Sequence, residues 1–163
     1  MNARITSHRP QAIHDRELIV NIIGRRKMDW ITENIAIGNF LDARSLRESD
    51  VNAVLCLIEN CCNEKNRNFD VLTVPLLDST GNNLKTLQEA FHFIDDVVRN
   101  NERVLVHCHA GRSRSVCVVA KYLMIQKGLA TTTVLDFIAS KREIYLSPGI
   151  EEILDVPSIY LKR

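Results

Sequence analysis

No stretch of the chain stays apolar for the ~20 residues that a bilayer-spanning helix needs, because charges interrupt every candidate within a few positions. No transmembrane segment is expected. Excess charge is equally scarce, a net +1 over 163 residues, so there is no electrostatic case for nucleic acid as a partner. The five cysteines, Cys56, Cys61, Cys62, Cys108 and Cys117, form no disulfide framework. Nor is a secretory leader expected, since the short apolar run from Leu18 to Ile23 is followed by Gly24-Arg25-Arg26-Lys27 rather than a small-residue cleavage site. A reducing, cytoplasmic setting follows. No Cys-x-x-Cys pair or helical His-x3-His pair is present, so neither a metal nor any other cofactor is expected. Internal repeats and low-complexity segments are absent too.

With 45% hydrophobic and 25% charged residues, the composition is that of an ordinary globule, and the length suits one domain. The charge is unevenly spread. Residues 1–27 hold six basic and two acidic side chains, a net +4 that leaves the remainder at −3. We therefore divide the chain into a basic N-terminal extension, 1–27, and a domain, 28–163. The extension is open to three readings: a helix lying on the domain, a membrane-surface helix, or a segment added ahead of a natural start at Met28.

From Met28 the pattern becomes regular. Trp30-Ile31-Thr32 and Ile35 to Gly38 read as short strands around the turn residues Glu33-Asn34, and Asp42 is expected to cap a short helix reaching Leu46. Val51 to Ile58 and Val71 to Leu77 read as buried strands, separated by a polar loop or short helix from Glu59 to Asn68. Leu84, Leu87, Phe91, Ile94, Val97 and Val98 recur at helical spacing behind Asn82 and Asn83. Arg103 to Cys108 is a further buried strand, followed by helices over Ser113 to Lys127, Thr132 to Arg142 and Ile150 to Val156. Such interleaving predicts an α/β fold, a mainly parallel central sheet flanked by helices on both faces.

The segment His107-Cys108-His109-Ala110-Gly111-Arg112-Ser113-Arg114-Ser115 lies where a strand turns into a helix. Amides at a helix N-terminus lack intrahelical partners, and the helix dipole adds about half a positive charge there, so the turn suits an anion. The same field stabilises a thiolate at Cys108. Gly111 can take the positive φ that points successive amides inward, and Arg114 can grip phosphate oxygens with its planar fork. A zinc site built on His107, Cys108 and His109 with Cys61, Cys62 or His92 is a poor alternative. Adjacent strand residues point to opposite sides, and zinc leaves the sequence from Gly111 to Ser115 unexplained.

Cys108 to Arg114 resembles the Cys-x5-Arg phosphate loop of protein tyrosine phosphatases, and the longer run is similar to the dual-specificity branch. The resemblance covers roughly Met28 to Val156 and implies an α/β sandwich in which Cys108 attacks a phosphate monoester and forms a phosphocysteine. The loop residues His109, Ala110, Gly111, Arg112 and Ser113 would bind the phosphate. The leaving oxygen then needs a proton from a separate loop, and Asp78, 30 residues before Cys108 in a turn-rich segment, is the candidate. Ser115 is expected to donate to the Cys108 sulfur. His107 is expected to orient the loop through backbone hydrogen bonds.

No long insertion precedes the sheet, which implies a shallow pocket and a small dual-specificity protein phosphatase acting on phosphotyrosine and phosphoserine or phosphothreonine. Two alternatives stay open. Arg112 and the later Ser147-Pro148-Gly149 also resemble the mitochondrial phosphatidylglycerophosphate phosphatase branch, which implies a phospholipid substrate, and a non-catalytic phosphate-binding module would need the cationic groups alone. Oxidation could join Cys108 to Cys56, Cys61 or Cys62.

Overall fold

The computed structural model describes residues 28–61 and 68–163. The basic segment 1–27, Cys62 and most of the expected polar loop from Glu59 to Asn68 lie outside the described residues.

Five strands form one sheet: β1 (Asp29–Trp30), β2 (Ile35–Gly38), β3 (Ala53–Cys56), β4 (Asp70–Thr73) and β5 (Val104–His107). Their order across the sheet is β1-β2-β5-β3-β4. β1 is antiparallel to β2, and all other pairs are parallel. The central strand β5 is Val-Leu-Val-His, and all four residues are buried. A parallel strand covered on both faces needs this continuous apolar run, because neither set of alternate side chains meets water.

Helix α1 (Phe40–Arg44) follows β2, α2 (Leu84–Arg99) follows β4, and α3 (Arg114–Lys127) follows β5. Two shorter helices, α4 (Thr131–Ala139) and α5 (Glu152–Asp155), complete the chain before a 3-10 turn at Ser158–Tyr160. The larger core lies on the face carrying Ile35, Ile37, Leu55, Val104 and Val106, where residues of α2, α3, α4 and α5 pack against it. Ala36, Val54 and Leu105 point the other way, toward Ala43 of α1 and toward Val51 and Phe69. The flanking layers are thus unequal in thickness.

Helix α3 is the axle of the larger core. Nine consecutive residues, Ser115 to Leu123, are buried, and Gly128 ends the helix with a left-handed φ of 64°. Burying each Val or Leu of this run stabilises the fold by about 1.5–3 kcal/mol. Lys121 is the exception in kind. Its Nζ donates to the carbonyl of Leu154 at 2.7 Å, tying α3 to α5, and burial lowers its pKa from the usual lysine value.

Four expectations need correction. The short helix after β2 is capped by Asn39, whose side chain accepts from the Asp42 N–H, while Asp42 reaches back to the Asn39 N–H at 2.8 Å. Asp42 is therefore the reciprocal member of a capping box, not the cap. The strand predicted from Val71 to Leu77 is shorter and lies at the sheet edge, with Asp70 exposed and Val71, Leu72 and Thr73 only half-buried. The helix expected over Thr132 to Arg142 stops at Ala139, which frees Arg142 to turn inward. The final helical stretch keeps only Glu152–Asp155.

Candidate active site

The parallel strands β3, β4 and β5 deliver their following loops to one end of the sheet, the usual site for ligands in open α/β sheets. At this end the loop after β5 runs from Cys108 into α3, and Gly111 carries a φ of +68°. A side chain is disfavoured there, and the glycine lets the chain close tightly.

Cys108 is 2% exposed, and its Sγ lies 3.3 Å from Ser115 Oγ in the first turn of α3. Ser115 is itself fully buried, so this contact is one of few open to its hydroxyl. Two residues further along the same helix, Cys117 shows what burial does to a thiol. Its pKa is pushed up to about 12, chiefly by desolvation and further by the negative charges of Glu151 and Asp78. Cys117 is a neutral packing residue. The ring Nδ1 of buried His107 lies 3.2 Å from the Cys108 carbonyl oxygen, in line with a role in orienting the loop.

Asp78, which follows β4, is brought to this loop. Ser113 Oγ donates to Asp78 Oδ1 at 2.6 Å, and Ser147 Oγ donates to Asp78 Oδ2 at 2.5 Å. The Ser147 N–H donates in turn to Ser113 Oγ at 2.9 Å. Both carboxylate oxygens are therefore held by hydroxyls, one from the cysteine loop and one from the segment before α5. Ser113 occupies the N-cap position of α3 but makes no side-chain cap bond, because its hydroxyl is engaged with Asp78 and Ser147. The first amides of α3 are left without that competitor, as an anion-binding helix end requires.

Arg114 Nη1 makes only a long contact, 3.5 Å, to the Leu76 carbonyl, and its buried Nε has no acceptor among the described residues. Arg112 points outward and pairs loosely with Glu143 at 3.7 Å, while its carbonyl accepts from the Tyr145 N–H. His109 and Ala110 are exposed at the rim. The His109 ring stacks on Phe40, with centroids 4.8 Å apart and planes inclined by 25°, and the Phe40 N–H donates to the His109 carbonyl.

Two residues of this region are missing from the sequence reading. Ser147 opens a Ser-Pro-Gly break, and nothing in its neighbours signals a partner 69 positions away. Arg142 donates from Nη1 to Asp29 Oδ2 at 2.9 Å and to the Ile37 carbonyl at 2.7 Å, pinning β1 and β2 beneath the loop. The sequence carries no signal for this role, since Arg142 reads there as the last residue of a helix.

Comparison with known proteins bears on this geometry. A family profile described as the dual specificity phosphatase catalytic domain matches residues 37–153. The chain is 34% identical over 139 residues to Dual specificity protein phosphatase PHS1 of Arabidopsis thaliana, covering 78% of this chain and 14% of that protein. It is 35% identical over 118 residues to Dual specificity protein phosphatase 9 of Homo sapiens, covering 69% of this chain and 31% of that one. The chain thus spans less than a third of either relative. The crystal structure of DUSP15 superposes with a TM-score of 0.71 at 27% identity, covering 79% of this chain and 85% of that chain.

Proposed function

This chain belongs to the dual specificity phosphatase family, and on that premise we propose that it is a cysteine-dependent protein phosphatase whose catalytic unit is residues 28–163. Cys108 is the nucleophile, Arg114 the phosphate clamp, Asp78 the general acid and Ser115 the donor to sulfur. The observation that carries this reading is the meeting of Asp78 with the cysteine loop through Ser113 at 2.6 Å, a contact between segments 35 residues apart. A phosphate-binding module has no need of that carboxylate.

The chemistry proceeds in two displacements. The Cys108 sulfur forms a bond to phosphorus as the ester P–O bond breaks, and Asp78 gives its proton to the departing oxygen. Loop amides, the start of α3 and the Arg114 fork hold the equatorial oxygens, where charge is carried in the transition state. Arg114 Nε, buried without a protein acceptor among the described residues, is a donor suited to this anion. Water then attacks phosphorus, Asp78 takes a proton from it, and the S–P bond breaks. Ser115, 3.3 Å from the sulfur, donates to the thiolate that leaves.

The substrates are phosphorylated proteins, with phosphotyrosine and phosphoserine or phosphothreonine both admitted, a reading supported by the exposure of His109 and Ala110 at the rim. A reducing compartment, the cytoplasm, suits Cys108, which is in no disulfide. Among the described residues no helix is long and apolar enough to cross a membrane. The test is a substrate panel of phosphotyrosyl and phosphoseryl peptides and phosphatidylglycerophosphate vesicles, run with the wild type and with Cys108→Ser. Peptide turnover that vanishes in Cys108→Ser is expected. A strong preference for the lipid would overturn the substrate assignment, and turnover retained in Cys108→Ser would overturn the mechanism.

A further inference from the structure

Behind the cysteine loop, on the face of the sheet opposite the larger core, three soft donors converge. Cys56 and His107 are register partners on the adjacent parallel strands β3 and β5, so their side chains leave the sheet on the same side. The chain then turns through Asn60, whose φ of +55° is one of two positive values outside glycine among the described residues, and returns Cys61 over the strand ends. One donor atom from each of Cys56, Cys61 and His107 lies within 4.8 Å of the other two. Cys56 and His107 are fully buried and Cys61 is half-buried.

We infer that Cys56, Cys61 and His107 form a binding site for a thiophilic divalent cation of the zinc class, separate from the catalytic thiol. Zinc bonds to sulfur and imidazole nitrogen of about 2.0–2.3 Å place donors in a tetrahedron roughly 3.3–3.8 Å apart, so closure requires movements of about 1 Å. Two thiolates and a neutral imidazole balance the charge of a divalent ion, which lets the complex lie in a buried position. With Nε2 as the ligand atom, His107 Nδ1, 3.2 Å from the Cys108 carbonyl, would supply the backbone hydrogen bond that a ligating histidine commonly makes through its other ring N–H. With three protein ligands the ion keeps a fourth position for water. The ion would join the ends of β3 and β5 to the Ile58–Cys61 turn and so brace the strand that carries Cys108.

The proposal does not depend on catalysis, and its test separates the two thiols. Zinc chloride is titrated against a chromophoric chelator for the wild type, Cys108→Ser and Cys61→Ser, and cobalt is substituted to read thiolate-to-metal charge transfer. One equivalent should bind to the wild type and equally to Cys108→Ser, with charge-transfer bands in both and a zinc-dependent rise in Tm. Cys61→Ser should bind more than about 100-fold more weakly, since even outer-shell changes cost 10- to 100-fold. Cys61 lies in a turn, so this variant should fold, as its far-ultraviolet dichroism will verify. Cys56→Ser alters a fully buried position, so Cys61→Ala is the second variant, and the same loss of affinity is expected. No stoichiometric binding by the wild type, binding lost in Cys108→Ser, or binding unchanged in either Cys61 variant would each overturn the assignment.

Discussion

A methyl group at position 111 would sit 2.5 Å from the Gly38 carbonyl oxygen and 2.8 Å from the Arg142 guanidinium. Glycine is thus required there twice over, by its φ of +68° and by the closeness of the end of β2. Gly111→Ala should destabilise the fold by more than about 1 kcal/mol, measurable by urea denaturation, and weaken phosphate binding with it. Asp78→Ala should slow hydrolysis of esters with poor leaving groups by roughly 10²–10⁴-fold and affect good leaving groups far less. Equal losses on both would place the acid elsewhere. Ser147→Ala, which removes one of the two hydroxyls on the Asp78 carboxylate, should lower kcat with little change in KM. At this scale the turn from Cys108 into α3 was legible because its residues are contiguous. Ser147 and Arg142 were not, because their partners are distant in sequence and the contacts exist only once the sheet has formed.

Among the elements, apolar runs identified the strands but not their rank in the sheet. Val71 to Leu77 reads as a buried strand, yet β4 lies at the edge with Asp70 exposed and the other side chains half-buried. Only the pairing of strands decides this, since an apolar run has the same composition wherever it lies. Helix α2 was legible from its spacing, and Asn83 caps it by accepting from the Lys85 N–H at 2.8 Å. Leu84, counted in the apolar stripe, is the first residue of the helix and stays 39% exposed. The cap of α1 was misplaced by three residues because Asn39 and Asp42 both suit an N-terminus and form opposite halves of one box. Asn39→Ala should cost about 1 kcal/mol in stability, read from the shift of the urea midpoint at constant m-value.

Across the whole molecule, one topological fact positions the chemistry. The crossover from β4 through α2 to β5 sets the Asp78 loop and the Cys108 loop at the same end of a parallel sheet, and α3 then leads the chain back through the larger core. That end of the sheet was predictable from the strand-helix alternation. The convergence of Cys56, Cys61 and His107 was not, because sequence spacing shows no metal pair while strand register makes two of them neighbours. Alkylation with iodoacetamide near neutral pH should abolish activity in step with modification of Cys108 and leave Cys117 unmodified. Inorganic phosphate should protect Cys108, whereas Cys117 is shielded by the burial that pushes its pKa to about 12.

The central claim is that a sulfur, not a water or a metal-bound oxygen, takes the phosphoryl group. Rapid acid quenching of the protein during turnover of a radiolabelled phosphotyrosyl peptide, followed by peptide mapping, tests it directly. The account predicts acid-stable label on the peptide containing Cys108, a larger trapped fraction in Ser115→Ala, and none in Cys108→Ser. Steady turnover by Cys108→Ser, or label recovered on a different residue in the wild type, would contradict it.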